Sequence, residues 1–128
     1  MTDRFVQHRF EELDVWRVGI RIVNEVYRIT RSFPKSEMFA LTDQLKRAAT
    51  SIVLNVAEGS GQPTKKAFVL YIQRSKSSTL ECVACVKIAL QQKFISSEDV
   101  SELEKQLKEE YFKLVALAKS MGVPESNT

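Results

Sequence analysis

The 128-residue chain is poor in residues that break or brace a fold. Its 4 glycines and 3 prolines are too few for the many tight turns of an all-β protein. No apolar run approaches the ~18 residues that a membrane span needs. The opening stretch, MTDRFVQHRFEELD, is too polar and acidic for a secretory signal. A cytoplasmic protein with no membrane partner is expected. Its 2 cysteines and 1 histidine leave little to hold a metal. Cys82 and Cys85 form a lone C-x-x-C inside a helical pattern, where free thiols pack as small apolar groups, and the other soft ligand is the distant His8. The chain has no Glu-x-x-His pair, no phosphate loop and no nucleophile–histidine pairing beyond His8. No catalytic residue, metal ligand or cofactor is assigned, and no enzyme is expected.

What is present is ordinary globular material, with 44% apolar and 27% charged side chains over a length that suits one domain. Leu13, Trp16, Ile20, Val23, Tyr27 and Thr30 step by three and four. That spacing predicts a first helix from about residue 11 to Phe33, buried along this stripe and ended by Pro34. Leu41, Leu45, Ala48, Ile52 and Val56 predict a second from about residue 38 to Glu58, with a looser turn before Thr42. Gly59 and the Ser-Gly-Gln-Pro that follows end it. A third, about residues 65–93, starts at an N-cap Thr64 and buries Phe68, Ile72, Ser75, Thr79, Cys82, Val86 and Leu90. The small residues in that stripe would let a neighbouring helix approach closely. The fourth starts at Ser96 or Ser97 and buries Val100, Leu103, Leu107, Tyr111, Leu114, Ala118 and Met121 before Gly122 and Pro124 end it. Short connections favour an all-α, antiparallel up-down-up-down four-helix bundle. It would occupy residues 10–122, between an N-terminal arm (1–9) and a C-terminal tail (123–128).

The third helix is apolar around too much of its circumference for a lone subunit. Val69, Leu80 and Val83 lie outside the arc that one core covers, and Leu70 and Ile88 lie further round. Val53, Leu54 and Ala57 stand beside or behind the main apolar face of the second helix. Four helices leave nothing to cover these side chains, so Val69, Leu80, Val83 and Leu54 are expected at an interface between copies.

The net charge of +3 is unevenly spread. Residues 62–94 carry six cations against Glu81, while residues 95–128 carry four lysines against seven acids. Lys65, Lys76 and Lys87 are eleven residues apart, which is three helical turns, so they form a row with ~16 Å between neighbours. Together with Lys66 and Arg74 they are the candidate phosphate-binding surface. No aromatics interleave with the row, so contact would be to backbone phosphate rather than to stacked bases.

On the second helix Gln44, Arg47, Ser51, Asn55 and Glu58 line a polar seam beside the apolar face. Ser and Asn are poor interior helix residues, and a carboxylate in the last turn opposes the helix dipole. Such breaches point to a hydrogen-bonded seam between helices, with Glu58 capping a loop amide or pairing with Arg47 or Lys65. The alternative is a ligand site.

Several stretches read together resemble a known family. They are Phe10-Glu-Glu-Leu13-Asp-Val15-Trp16, Phe33-Pro34, the Leu41-Thr42-Asp-Gln44-Leu45-Lys-Arg47-Ala48-Ala49 run with Ser51-Ile52, Asn55-Val56-Ala57-Glu58-Gly59, Phe68, and Lys76-Ser-Ser78 to Glu81. The chain resembles the four-helix-bundle proteins encoded in intervening sequences of bacterial 23S rRNA genes. A related branch is the accessory variability determinant of diversity-generating retroelements. The family usually has Gly-Ser where this chain has Ser77-Ser78, so a close backbone contact there would be looser. The resemblance implies a ring-like homopentamer. For the retroelement branch it implies a basic nucleic-acid-binding surface and association with a reverse transcriptase. It carries structural importance to Asn55, Ala57, Glu58 and Gly59, and no chemical task.

The function expected is therefore a non-catalytic oligomer that binds RNA or DNA backbone through its basic surface. The alternative is a protein-interaction scaffold whose cationic face docks an acidic partner or a reverse transcriptase.

Overall fold

The computed structural model describes residues 10–122; the arm at 1–9, His8 and the tail at 123–128 lie outside the described residues. Four helices follow one another: α1 (Asp14–Thr30), α2 (Leu41–Ser60), α3 (Lys65–Gln91) and α4 (Ser97–Ser120). A short 3-10 turn, Lys35–Glu37, links α1 to α2, where the sequence suggested a looser first turn. Among the described residues there is no strand. The two predicted caps form: Thr64 Oγ1 accepts from Ala67 N at 3.1 Å, and Ser96 Oγ accepts from Asp99 N at 3.2 Å. Glu98 and Asp99 in the first turn of α4 add favourable charge at the dipole's positive end.

The helices form a closed circuit. α1 packs on α2 and α4, and α3 packs on α2 and α4. The interior holds Ile22 and Ile29 from α1, Leu45 and Ile52 from α2, Ile72 from α3, and Leu103, Leu107 and Leu114 from α4, all essentially inaccessible. The middle of the α3 stripe lies where its spacing put it, with Ile72, Ser75, Thr79, Cys82 and Val86 buried, while Phe68 and Leu90 at its ends are half-buried. Its small residues do admit a neighbour, since the Ser75 hydroxyl donates to the Ile52 carbonyl of α2.

The α1 stripe requires correction. The buried residues are Val15, Val18, Gly19, Ile22, Val26, Ile29 and Thr30. Of the expected set only Thr30 is buried; Leu13, Trp16, Ile20 and Val23 are half-buried and Tyr27 is exposed. The true face is turned by roughly 110° at 100° per residue. The apolar arc of α1 is wider than half a turn, and bulk decides which part goes inside. Slim β-branched chains and Gly19 fit between neighbouring helices. The Trp16 and Tyr27 rings carry polar atoms that keep to the wet edge.

At the end of α3, Lys93 holds φ 63, the left-handed position where glycine is usual. Phe94 N donates back to Ala89 O at 2.9 Å, and Lys93 N donates to Leu90 O at 3.0 Å. Lysine keeps its Cβ penalty here, so Lys93→Gly should raise stability by about 1 kcal/mol. A thermal melt several degrees higher than wild type is the expected reading. An unchanged or lower melt would contradict the strained turn.

Candidate functional site

The five cations proposed for phosphate contact all lie on α3, but they are not equivalent. Lys65, Lys66, Arg74 and Lys87 are exposed and Lys76 is half-buried. Among the described residues none of the five joins an ion pair; the pairs formed are those of Arg17, Arg28, Arg47 and Lys113. Two cations lean on aromatic rings instead. Arg74 lies 4.7 Å from the Tyr71 ring centre, and Lys76 lies 5.9 Å from that of Tyr111 on α4. Lys76 therefore sits at the junction of α3 and α4, and helical spacing puts Lys65 and Lys87 three turns away on either side along α3.

The same junction holds an apolar groove of 270 Å³. Thr79, Val83, Val86, Leu107 and Tyr111 line it, with Leu80, Phe112, Glu104 and Lys108. Leu80 is 52% exposed and Phe112 59% exposed, and the Phe112 ring meets Tyr111 edge-on at 5.5 Å. Of the expected interface residues, Leu80 and Val83 line this groove, Val69 is half-buried, and Leu54 stands exposed on α2. Phe112 was missed by sequence reasoning. Its signal was its place three residues before Val115, on the outer side of a helix otherwise charged there.

The polar seam is a fastening between α2 and α3. Gln44 Nε2 donates to Glu81 Oε2 at 3.2 Å, and Ser78 Oγ donates to Ser51 Oγ at 2.9 Å. Asn55 Nδ2 donates to Ser51 O at 2.8 Å and to Ser51 Oγ at 3.0 Å. The expected partner of Arg47 is corrected: its guanidinium pairs with Asp43 at 3.0 Å, one turn back. No side-chain bond ties Glu58 to Arg47 or Lys65; the Glu58 carbonyl accepts from Gly61 N at 3.2 Å and Gln62 Nε2 at 3.1 Å. Gly59 is buried because a Cβ there would meet Phe68 Cδ1 and Tyr71 Cβ, each at 2.8 Å. The Asn-x-Ala-Glu-Gly close thus seats α3 on α2. Cys82 and Cys85 are free and buried. Burial pushes the Cys82 thiol up to about 12, with Cys85 and Glu81 adding to it, and raises Cys85 as well, helped by Glu81. Such thiols are poor nucleophiles.

One buried group was not foreseen. Glu110 of α4 is fully buried, and neither carboxylate oxygen has a hydrogen-bond partner. A turn earlier the buried Gln106 donates to Glu102 at 3.1 Å but leaves its own Oε1 unpaired. Burial, and then the Glu109 carboxylate, raise the Glu110 carboxyl to about 8 against the smaller pull of Lys113 and Arg21. It faces Gly19 of α1, where a Cβ would lie 3.1 Å from Oε2. The signal was present in the sequence, since Leu103, Gln106, Glu110, Leu114 and Leu117 step by three and four.

A protein of unknown function from the S23 ribosomal protein family of Bacteroides thetaiotaomicron has a crystal structure similar to this fold, at TM-score 0.68 and 18% sequence identity. The likeness covers 82% of this chain and 94% of that one. No curated protein matches the chain. Residues 11–116 match a family described as 23S rRNA-intervening sequence protein. That span takes in α1 to α3, α4 as far as residue 116, the seam and the groove, and the chain belongs to the 23S rRNA-intervening sequence protein family.

Proposed function

We propose that this protein is a non-catalytic, self-associating antiparallel four-helix bundle that binds the phosphate backbone of RNA or DNA. The observation that carries this reading is α3, where five cations form no ion pair and one of them, Lys76, leans on Tyr111 in the wall of an uncovered apolar groove. Helix direction is supported by pairings whose numbers fall on one helix as they rise on the next. Gln44 meets Glu81 and Ser51 meets Ser78; Arg28 donates to the Asp99 carbonyl at 3.0 Å while Lys113 pairs with Asp14 at 3.3 Å. The groove and Leu54 support assembly of copies, and family resemblance favours a homopentameric ring in the cytoplasm. The intervening-sequence branch fits better than the retroelement branch with its reverse transcriptase, because its motifs are the sharper ones here. In a ring each lysine row is repeated per subunit, so avidity rises without new contacts.

Phosphate contacts release counterions, so binding must weaken steeply with salt. Lys65→Gln/Lys76→Gln/Lys87→Gln should weaken binding to structured RNA and duplex DNA at least about tenfold at ~50 mM salt. It should also flatten the logarithmic salt slope by up to about 2.7, at about 0.9 per lost contact. Solution mass should stay the same. Undiminished affinity in the triple variant, or no binding by wild type at that salt, removes the nucleic-acid reading. The reading of the same face as a scaffold for an acidic protein would then gain, and a partner retained through nuclease treatment would carry it.

A further inference from the structure

We infer that the α3–α4 groove receives Phe39 from a second copy of this chain. This inference rests on the self-association proposed above and names the surfaces that would perform it. Phe39 is 91% exposed and its neighbour Met38 is 52% exposed. They stand on the link between α1 and α2, which is held as a stiff knob. Glu37 N donates to Pro34 O at 2.9 Å, Met38 N to Lys35 O at 3.1 Å and Ala40 N to Glu37 O at 3.0 Å. The link is anchored at both ends, by buried Phe33 and by Leu41 packed on the core. A ring presented on a braced turn loses little conformational freedom on docking.

The groove is the matching hollow. Its 270 Å³ falls below the roughly 300–1,000 Å³ usual for small-molecule sites, so it suits side chains better than a ligand. Thr79, Val83 and Leu107 offer an apolar surface, and the exposed Leu80 and Phe112 can close on an inserted ring. Charge agrees as well. Lys35 and Glu37 share the turn that presents Phe39, and Glu104 and Lys108 line the groove, so each surface carries one charge of each sign to set against the other. Knob and hollow lie on opposite sides of the helix circuit, because one belongs to the α1–α2 side and the other to the α3–α4 side. A chain cannot fill its own groove with its own knob. Two different patches that fit each other make a head-to-tail contact, which closes into a ring when the rotation allows.

Disulfide trapping in the full-length chain tests this. A chain carrying Met38→Cys and Lys108→Cys together, with Phe39 and Phe112 kept, should, on mild oxidation, give a ladder of covalent multimers on a denaturing gel. Either substitution alone should stay a single-chain band, which also controls for the buried Cys82 and Cys85. A mixture of the two single variants, reassembled together, should give covalent dimers and nothing larger. Separately, Phe39→Glu should lower the solution mass by light scattering and leave the helical circular dichroism unchanged. A multi-chain wild type with no ladder and an unaltered Phe39→Glu mass overturns this seating and leaves self-association standing. A single-chain wild type overturns both.

Discussion

Glu110→Gln should make the protein more stable at pH 8 and remove most of the pH dependence of its unfolding between pH 5 and 8. The folded chain holds the Glu110 carboxyl at about 8, while an unfolded chain returns it to about 4.5. Between those values the folded state binds the extra proton, so stability falls as pH rises. The favourable state is fully present below about pH 4.5 and is lost as the pH climbs through about 8. At 1.36 kcal/mol for each pH unit of displacement, the loss across that window is on the order of 4 kcal/mol. That is a large part of the ~5–15 kcal/mol that holds a domain folded. Glutamine keeps the shape and stays neutral throughout. Urea midpoints at pH 5, 6.5 and 8, at one protein concentration, should fall steadily for wild type and much less for the variant. Parallel lines for the two proteins would mean that Glu110 titrates as an ordinary surface carboxylate. Other groups titrate in this window too, but they contribute equally to both chains, so the difference isolates Glu110.

Glu110 also marks where the sequence stops being legible. The ends of α3 and α4 could be read because single side chains decide them: Thr64 and Ser96 cap, and Gly122 follows. The α3 stripe could be read because its small residues leave one face that can approach α2 closely. The orientation of α1 could not. Its apolar arc holds two parallel stripes, and hydrophobic spacing scores both. What separates them is the width of the gap between helices, a tertiary property that admits Val18 and Ile22 and keeps Trp16 at the edge. Glu110 is hidden in the sequence for a related reason. A glutamate is taken as surface by default, and only the line of Leu103, Leu114 and Leu117 around it indicates otherwise. For the candidate site, the lysine row and the surplus apolar face of α3 were visible in the spacing. The hollow itself was not, because its α4 wall includes Phe112, which stands on a side of that helix that reads as charged.

Gly19→Ala should destabilise the protein by about 2 kcal/mol, against the usual direction for this substitution. Within an ordinary helix, alanine is favoured over glycine by up to about 1 kcal/mol. Here the new Cβ would lie 2.5 Å from Val53 Cγ1 and 3.1 Å from Glu110 Oε2. Val53 is buried and β-branched, so it has few rotamers to retreat into. Either α1 moves off α2 or Val53 strains, and both cost packing. Val53→Ala alone loses stability through the cavity it leaves, but in the double variant the new methyl group occupies that space. The double variant should therefore be more stable than the two single losses predict, by at least about 1 kcal/mol. Melting temperatures of all four proteins complete the cycle. A Gly19→Ala chain as stable as wild type would show that α1 and α2 do not meet at this point. The same variant bears on Glu110. If α1 is displaced, water reaches the carboxyl, its pKa falls toward the ordinary range, and the decline in stability between pH 5 and 8 becomes shallower. One glycine thus controls how closely α1, α2 and α4 meet and how dry the buried acid stays.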